Sequence, residues 1–260
     1  MNHPMPALFL GHGNPMHALL DNAYTRAWHK LGSRLPRPDA ILAISAHWQL
    51  PRAAVTAMDP PRTIHDFGGF PRALYGVQYP CPGDPVLARR VAELLGPASI
   101  EQDQSWGLDH GTWSLLCHLY PDASVPVIQL AMEASAPPSA HYERGRQLAA
   151  LRNEGVLILG SGNIVHNLER ARWEKDPQPE DWARRFDGWV REKIASGEDS
   201  ALLDPATAGP DGTLSVPTPE HYWPLLYVLG SRRAGDRVSF PVEGIDMGTI
   251  SMTGVLMETA

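Results

Sequence analysis

Short apolar runs, each closed by a glycine, a proline or a polar residue, recur along the chain. Residues 7–10, 40–45 and 156–159 are rich in Leu and β-branched side chains and end at such punctuation, which predicts strands buried on both faces. Residues 125–130, following the Pro121-Asp122 turn signal, predict a fourth. Helical spacing of apolar positions falls between them, at 23–31 and 85–95. Strand and helix therefore alternate. The expected fold class is α/β, a single domain over residues 1–260 with a central, mostly parallel sheet flanked by helices on both faces and ligand chemistry at the carboxyl ends of its strands.

Three further stretches complete the pattern. Residues 58–85 carry many Pro and Gly with scattered aromatics, as suits a long ordered loop able to line a pocket. A helix is expected over 179–196, followed by a turn-rich segment ending before Pro217. Spaced large apolar residues over 220–229 predict another helix, with Pro224 in its first turn and His221 near its start. No repeat or low-complexity tract interrupts this order.

Composition narrows the function mainly by exclusion. At 43% hydrophobic and 20% charged the chain has ordinary globular usage, which removes disordered and coiled-coil readings. A net charge of -7 without a Lys/Arg run argues against nucleic acid as a partner. There is no apolar stretch of the roughly 20 residues that a membrane span needs and no signal-like N-terminus, so a cytoplasmic location without membrane contact is expected. Cys81 and Cys117 lack CxxC spacing and read as ordinary thiols. The sequence does not set an oligomeric state.

The 11 histidines are the unusual component. His12 follows the first predicted strand between Gly11 and Gly13, where the glycines allow backbone and ligand to approach the ring. His47 closes the second in the same manner. His166 lies about one helical turn beyond the Gly160-Ser161-Gly162 turn that ends the strand at 156–159, and His221 stands behind Pro217, Thr218 and Pro219. Taken singly, each is more simply a hydrogen-bonded or surface histidine. Together, His12, His47, His166 and His221 can converge on one divalent metal, since neutral imidazoles bind zinc and ferrous iron well.

His110, within Asp109-His110-Gly111, is either an acid/base residue or substrate contact, or a bystander beside a helix-capping Asp109. His65, in the aromatic loop, is either a contact to a ring or, more simply, a solvated loop histidine, and His3, His17, His29, His118 and His141 lack comparable context. Gly160-Ser161-Gly162 has neither the GxGxxG continuation nor a GK[ST] ending, and Ser161 is not within GxSxG, so nucleotide binding and a serine nucleophile are both weakly supported. Glu220 is a ligand, a general base or simply a helix N-terminal carboxylate. Trp48, Phe67, Phe70 and Tyr222 are candidate walls of an aromatic pocket or ordinary packing residues.

The motifs GHGNPM, SAHW, HDFGGFPRALYGVQYPCPG, WGLDHGTW, GSGNIVHNL and EHYWPLLYVLG, in this order from residue 11 to 230, resemble those of the bacterial DOPA-type extradiol aromatic-ring-opening dioxygenases. Residues 248–254 look like that family's C-terminal strand. The resemblance implies the fold of the protocatechuate ring-opening superfamily, one metal at His12, His47, His166 and His221, and a small aromatic diol and dioxygen as partners. It implies zinc in the purified protein and Fe(II) for activity. His166 is then either a ligand or, like its counterpart in protocatechuate-cleaving relatives, an acid/base residue, with His110 a polar partner to substrate or oxygen. A zinc hydrolase and a non-catalytic binding protein on the same fold are the alternatives.

Overall fold

The computed structural model describes residues 4–174 and 177–259. The strands are β1 (Ala7–Gly11), β2 (Ala40–Leu50), β3 (Ala54–Thr56), β4 (Glu101–Asp103), β5 (Val127–Glu133), β6 (Val156–Gly162), β7 (Asp236–Ser239), β8 (Ile245–Asp246), β9 (Ile250–Ser251) and β10 (Gly254–Thr259). The helices are α1 (Ala23–Arg34), α2 (Arg72–Tyr75), α3 (Pro85–Leu95), α4 (His110–Leu119), α5 (Pro138–Leu148), α6 (Asp181–Ser196), α7 (Pro210–Ser215) and α8 (Trp223–Gly230). Eight strands form one sheet in the order β4-β3-β5-β2-β6-β1-β10-β7. Its centre, β5-β2-β6-β1, is parallel throughout and consists of the four strands expected from the apolar runs. Antiparallel β10 extends the sheet on one side of this block, and β3 pairs antiparallel with β5 on the other.

The central strands are apolar at nearly every position because both of their faces are covered. On one face Phe9, Leu42, Ile44 and Ile158 pack with residues of α3, α5, α6 and α8, among them Val91, Leu148, Val190 and Leu225. On the other, Leu8, Leu10, Ile41 and Leu159 pack with Trp28 of α1 and Leu115 and Leu116 of α4. Helix starts follow local chemistry. Asn22 and Thr25 form a capping box on α1, and the Asp84 side chain caps α3, whose first residue is Pro85.

Of the boundaries that differ from the sequence reading, three matter most. Strand β2 runs on to Leu50, past His47, with a register shift between Ile44 and Gln49 against β5. Such a bulge changes the aim of the residues within it. Helix α8 begins at Trp223 and not at Glu220, because Pro224 belongs in the first turn and the preceding residues form turns. The closing strand is Gly254–Thr259, while residues 248–253 contribute only the short β9. No helix among the described residues is long and apolar enough to cross a membrane.

Candidate metal centre and substrate cavity

The carboxyl ends of β1, β2 and β6 lie side by side, so segments far apart in sequence deliver their side chains to one edge of the sheet. His12 follows β1 directly, and His47 is presented from the bulged part of β2. The loop before α8 brings His221 against the end of β6, where the Asn163 N–H donates to the His221 carbonyl at 2.8 Å. Gly162 is required for this approach, since a Cβ there would stand 2.1 Å from the same carbonyl oxygen.

One ring nitrogen from each of His12, His47 and His221 lies within 4.8 Å of the others. The Nε2 atoms of His12 and His47 are 3.1 Å apart. Nitrogens each about 2.1 Å from one ion would be separated by about 3.0–3.4 Å, so this pair fits a shared cation. The opposite edges of the rings are held. His12 Nδ1 donates to Ser161 Oγ at 2.9 Å, and the single Ser161 hydroxyl hydrogen is directed to the Gly111 carbonyl at 2.6 Å. His221 Nδ1 donates to Glu220 at 3.1 Å. Each of these contacts fixes the tautomer whose Nε2 lone pair points inward, the usual device for orienting an imidazole ligand.

Burial and mutual proximity keep the cluster uncharged. His12 and His221 are fully enclosed, and burial first, then neighbouring imidazoles, holds both well below the ordinary histidine range. Burial, followed by His110, pushes His47 down to about 3. Neutral imidazole is the form that binds a metal, so the donor set suits one divalent ion.

His166 is placed differently. Its ring stacks on His221 with centroids 3.4 Å apart and 7° between planes. Its nitrogens group with Glu220 and His221 and not with His12 and His47. The four-histidine expectation thus divides into three converging donors and one stacked neighbour. Burial pushes His166 down to about 4, so it too is neutral at pH 7.

His110 is the first residue of α4, and Asp109 does cap that helix through the Thr112 N–H. His110 nevertheless lines the cavity and packs against His47 with centroids 3.9 Å apart. Asp66 fastens it twice, accepting from the His110 backbone N–H at 2.9 Å and from Nδ1 at 3.0 Å. The same carboxylate lies 3.7 Å from His47 Nδ1. Burial favours the neutral acid at Asp66, but the His110 hydrogen bonds outweigh it and leave the group below the ordinary aspartate range.

The five histidines form one wall of a cavity of about 200 Å³ that is lined elsewhere by Phe67, Phe70, Leu168, Trp173, Met247 and Ile250. Phe67 meets His110 edge-on. Two other expected walls lie elsewhere. Trp48 stacks on Trp106 behind the strand, and Tyr222 faces a larger apolar recess with Leu203 and Val216. His65 is half-buried and donates to the Val77 carbonyl at 3.0 Å, which secures the aromatic loop. His17 pairs with Asp246, His141 contacts Tyr227, and His3 lies outside the described residues. Asp66 and Trp173 were not singled out from the sequence; Asp66 gives no signal there beyond its place between His65 and the Gly-rich turn.

A family model described as the catalytic LigB subunit of aromatic ring-opening dioxygenase matches residues 4–230. The chain belongs to this family. Among its relatives, an Escherichia coli protein named 4,5-DOPA dioxygenase extradiol is 51% identical over 255 residues, 96% of this chain and 94% of that one. A Beta vulgaris protein of the same name is 36% identical, over 94% of this chain and 92% of its own. A crystal structure of an uncharacterized Escherichia coli K12 protein superposes with a TM-score of 0.85 at 47% identity, covering 97% of this chain and 99% of the other. The resemblance drawn from the motifs is borne out, and this LigB-family chain is an aromatic ring-opening dioxygenase with a histidine cluster able to hold a metal.

Proposed function

We propose that this LigB-family enzyme is an extradiol dioxygenase that opens a catechol ring beside its diol with both atoms of dioxygen incorporated, and that DOPA or a close analogue is its substrate. The observation that carries the reading is the convergence of His12, His47 and His221 on one point at the floor of an aromatic-walled cavity. The relatives' names supply the substrate class. These three residues would hold one divalent metal, ferrous iron in the active enzyme; zinc suits the same donors but has no redox change to offer. When bound, the metal supplies a positive charge that favours ionised diol oxygens and a route for electrons between ring and dioxygen.

The chain's own residues do the rest. Phe67 and Phe70 seat the ring and keep water from it. His166, neutral and with no hydrogen bond at its ring among the described residues, takes a hydroxyl proton from the diol and returns it as the ring opens. Its stacking on His221 fixes the plane of the ring. The Nδ1 of His110 is committed to Asp66, so its Nε2 is left to contact substrate or oxygen. Anaerobic loading with ferrous iron, followed by DOPA and air, tests the assignment against a His47→Ala control. One oxygen consumed per substrate, with a yellow ring-opened product absent from the control, is expected. Silence across a catechol panel with one iron bound would overturn it.

A further inference from the structure

Of the eight tryptophans, seven are buried or half-buried, and Trp173 alone is exposed, at 71%. An isolated exposed apolar residue needs no explanation, but Trp173 stands on the rim of the imidazole cavity beside Leu168, itself 54% exposed. The backbone beneath them is fastened. The Ala171 N–H donates to the Leu168 carbonyl at 3.2 Å, and the Arg172 N–H to the carbonyl of Met247, another cavity residue, at 2.9 Å. The indole is therefore held at the mouth by anchored backbone while its own surface is left uncovered.

We propose that Trp173, with Leu168, determines specificity for the substituent that a catechol carries remote from its diol. The inference rests on the catechol reading above and adds the part of the substrate that this rim recognises. With the diol drawn to the histidine floor, a cavity of about 200 Å³ has room for one aromatic ring and little more. A ring substituent must then leave through the mouth. A short carbon chain there covers the indole and the Leu168 side chain, and an ammonium on that chain gains the attraction of a cation over an aromatic face.

The test compares KM for DOPA and for unsubstituted catechol in iron-loaded wild type, Trp173→Ala and Trp173→Phe. In Trp173→Ala, KM for DOPA should rise roughly tenfold more than KM for catechol, and Trp173→Phe should recover most of the difference. Anaerobic titration with DOPA should also change the fluorescence of wild type more than that of Trp173→Phe. Equal changes for both substrates, or none, would overturn the rim assignment and leave the catechol reading intact. A wild type that turns over neither compound would overturn both.

Discussion

Removing one hydroxyl should loosen the metal centre without touching a donor. Ser161 has a single hydrogen, given to Gly111, so its oxygen can only accept from His12 Nδ1. In Ser161→Ala the His12 ring loses the contact that fixes its tautomer, and Nε2 no longer has to present a lone pair toward His47. Loss of such an orienting partner lowers metal affinity by about 10–100-fold, or about 1.4–2.7 kcal/mol. The same change removes the Ser161 hydroxyl from the Gly111 carbonyl, which keeps its place in helix α4, and so adds about 0.5–1.5 kcal/mol of destabilisation. Competition for zinc against a chromophoric chelator at pH 7 measures the first quantity, and urea unfolding of the metal-free protein the second. An affinity within twofold of wild type, alongside a lowered urea midpoint, would refute the orienting role and leave Ser161 as a packing residue.

Other expectations follow from the same structure. Asp66→Ala frees both attachments of His110 and should lower kcat roughly 100-fold while bound iron stays near one per chain; turnover unchanged by the substitution would remove Asp66 from the mechanism. Arg152 is fully buried, pairs with Asp236 at 2.5 and 3.0 Å and donates to the Met5, Ser231 and Met257 carbonyls, so Arg152→Met should cost about 3–5 kcal/mol by urea unfolding. A loss under about 1 kcal/mol would contradict that role. Burial, then Arg144, pushes His141 down to about 4. The unfolded chain gains a proton below about pH 6.5 that folded His141 refuses, so stability present above that pH falls by about 3 kcal/mol as pH drops toward 4. His141→Phe should show a correspondingly smaller acid loss in urea midpoints; an identical loss would assign it to other groups.

The parallel core was legible because its strands are covered on both faces and so appear as unbroken apolar runs. The outer strands were not: Glu101–Asp103 and Asp236–Ser239 are mostly polar or half-exposed, and their pairing with neighbours is decided by distant chain. His12, His47, His166 and His221 could be picked out by their position after apolar runs or behind prolines. Their grouping could not, because whether a nitrogen faces a shared point depends on the bulge in β2 and on which ring lies over which. Asp66 was hidden for a related reason, since its importance arises entirely from a contact made 44 residues away with His110. Trp48 and Tyr222 looked equivalent to Phe67 in sequence but point to other sides of their elements.

The three converging nitrogens belong to residues 12, 47 and 221, so the site also has an order in time. A ribosome must reach residue 221 before the last donor exists, and β1, β2 and β6 must already be paired for the first two to meet. A nascent or truncated chain ending before His221 therefore offers at most an incomplete site, and metal bound afterwards favours only the finished fold. Loading with metal becomes a record of completed assembly.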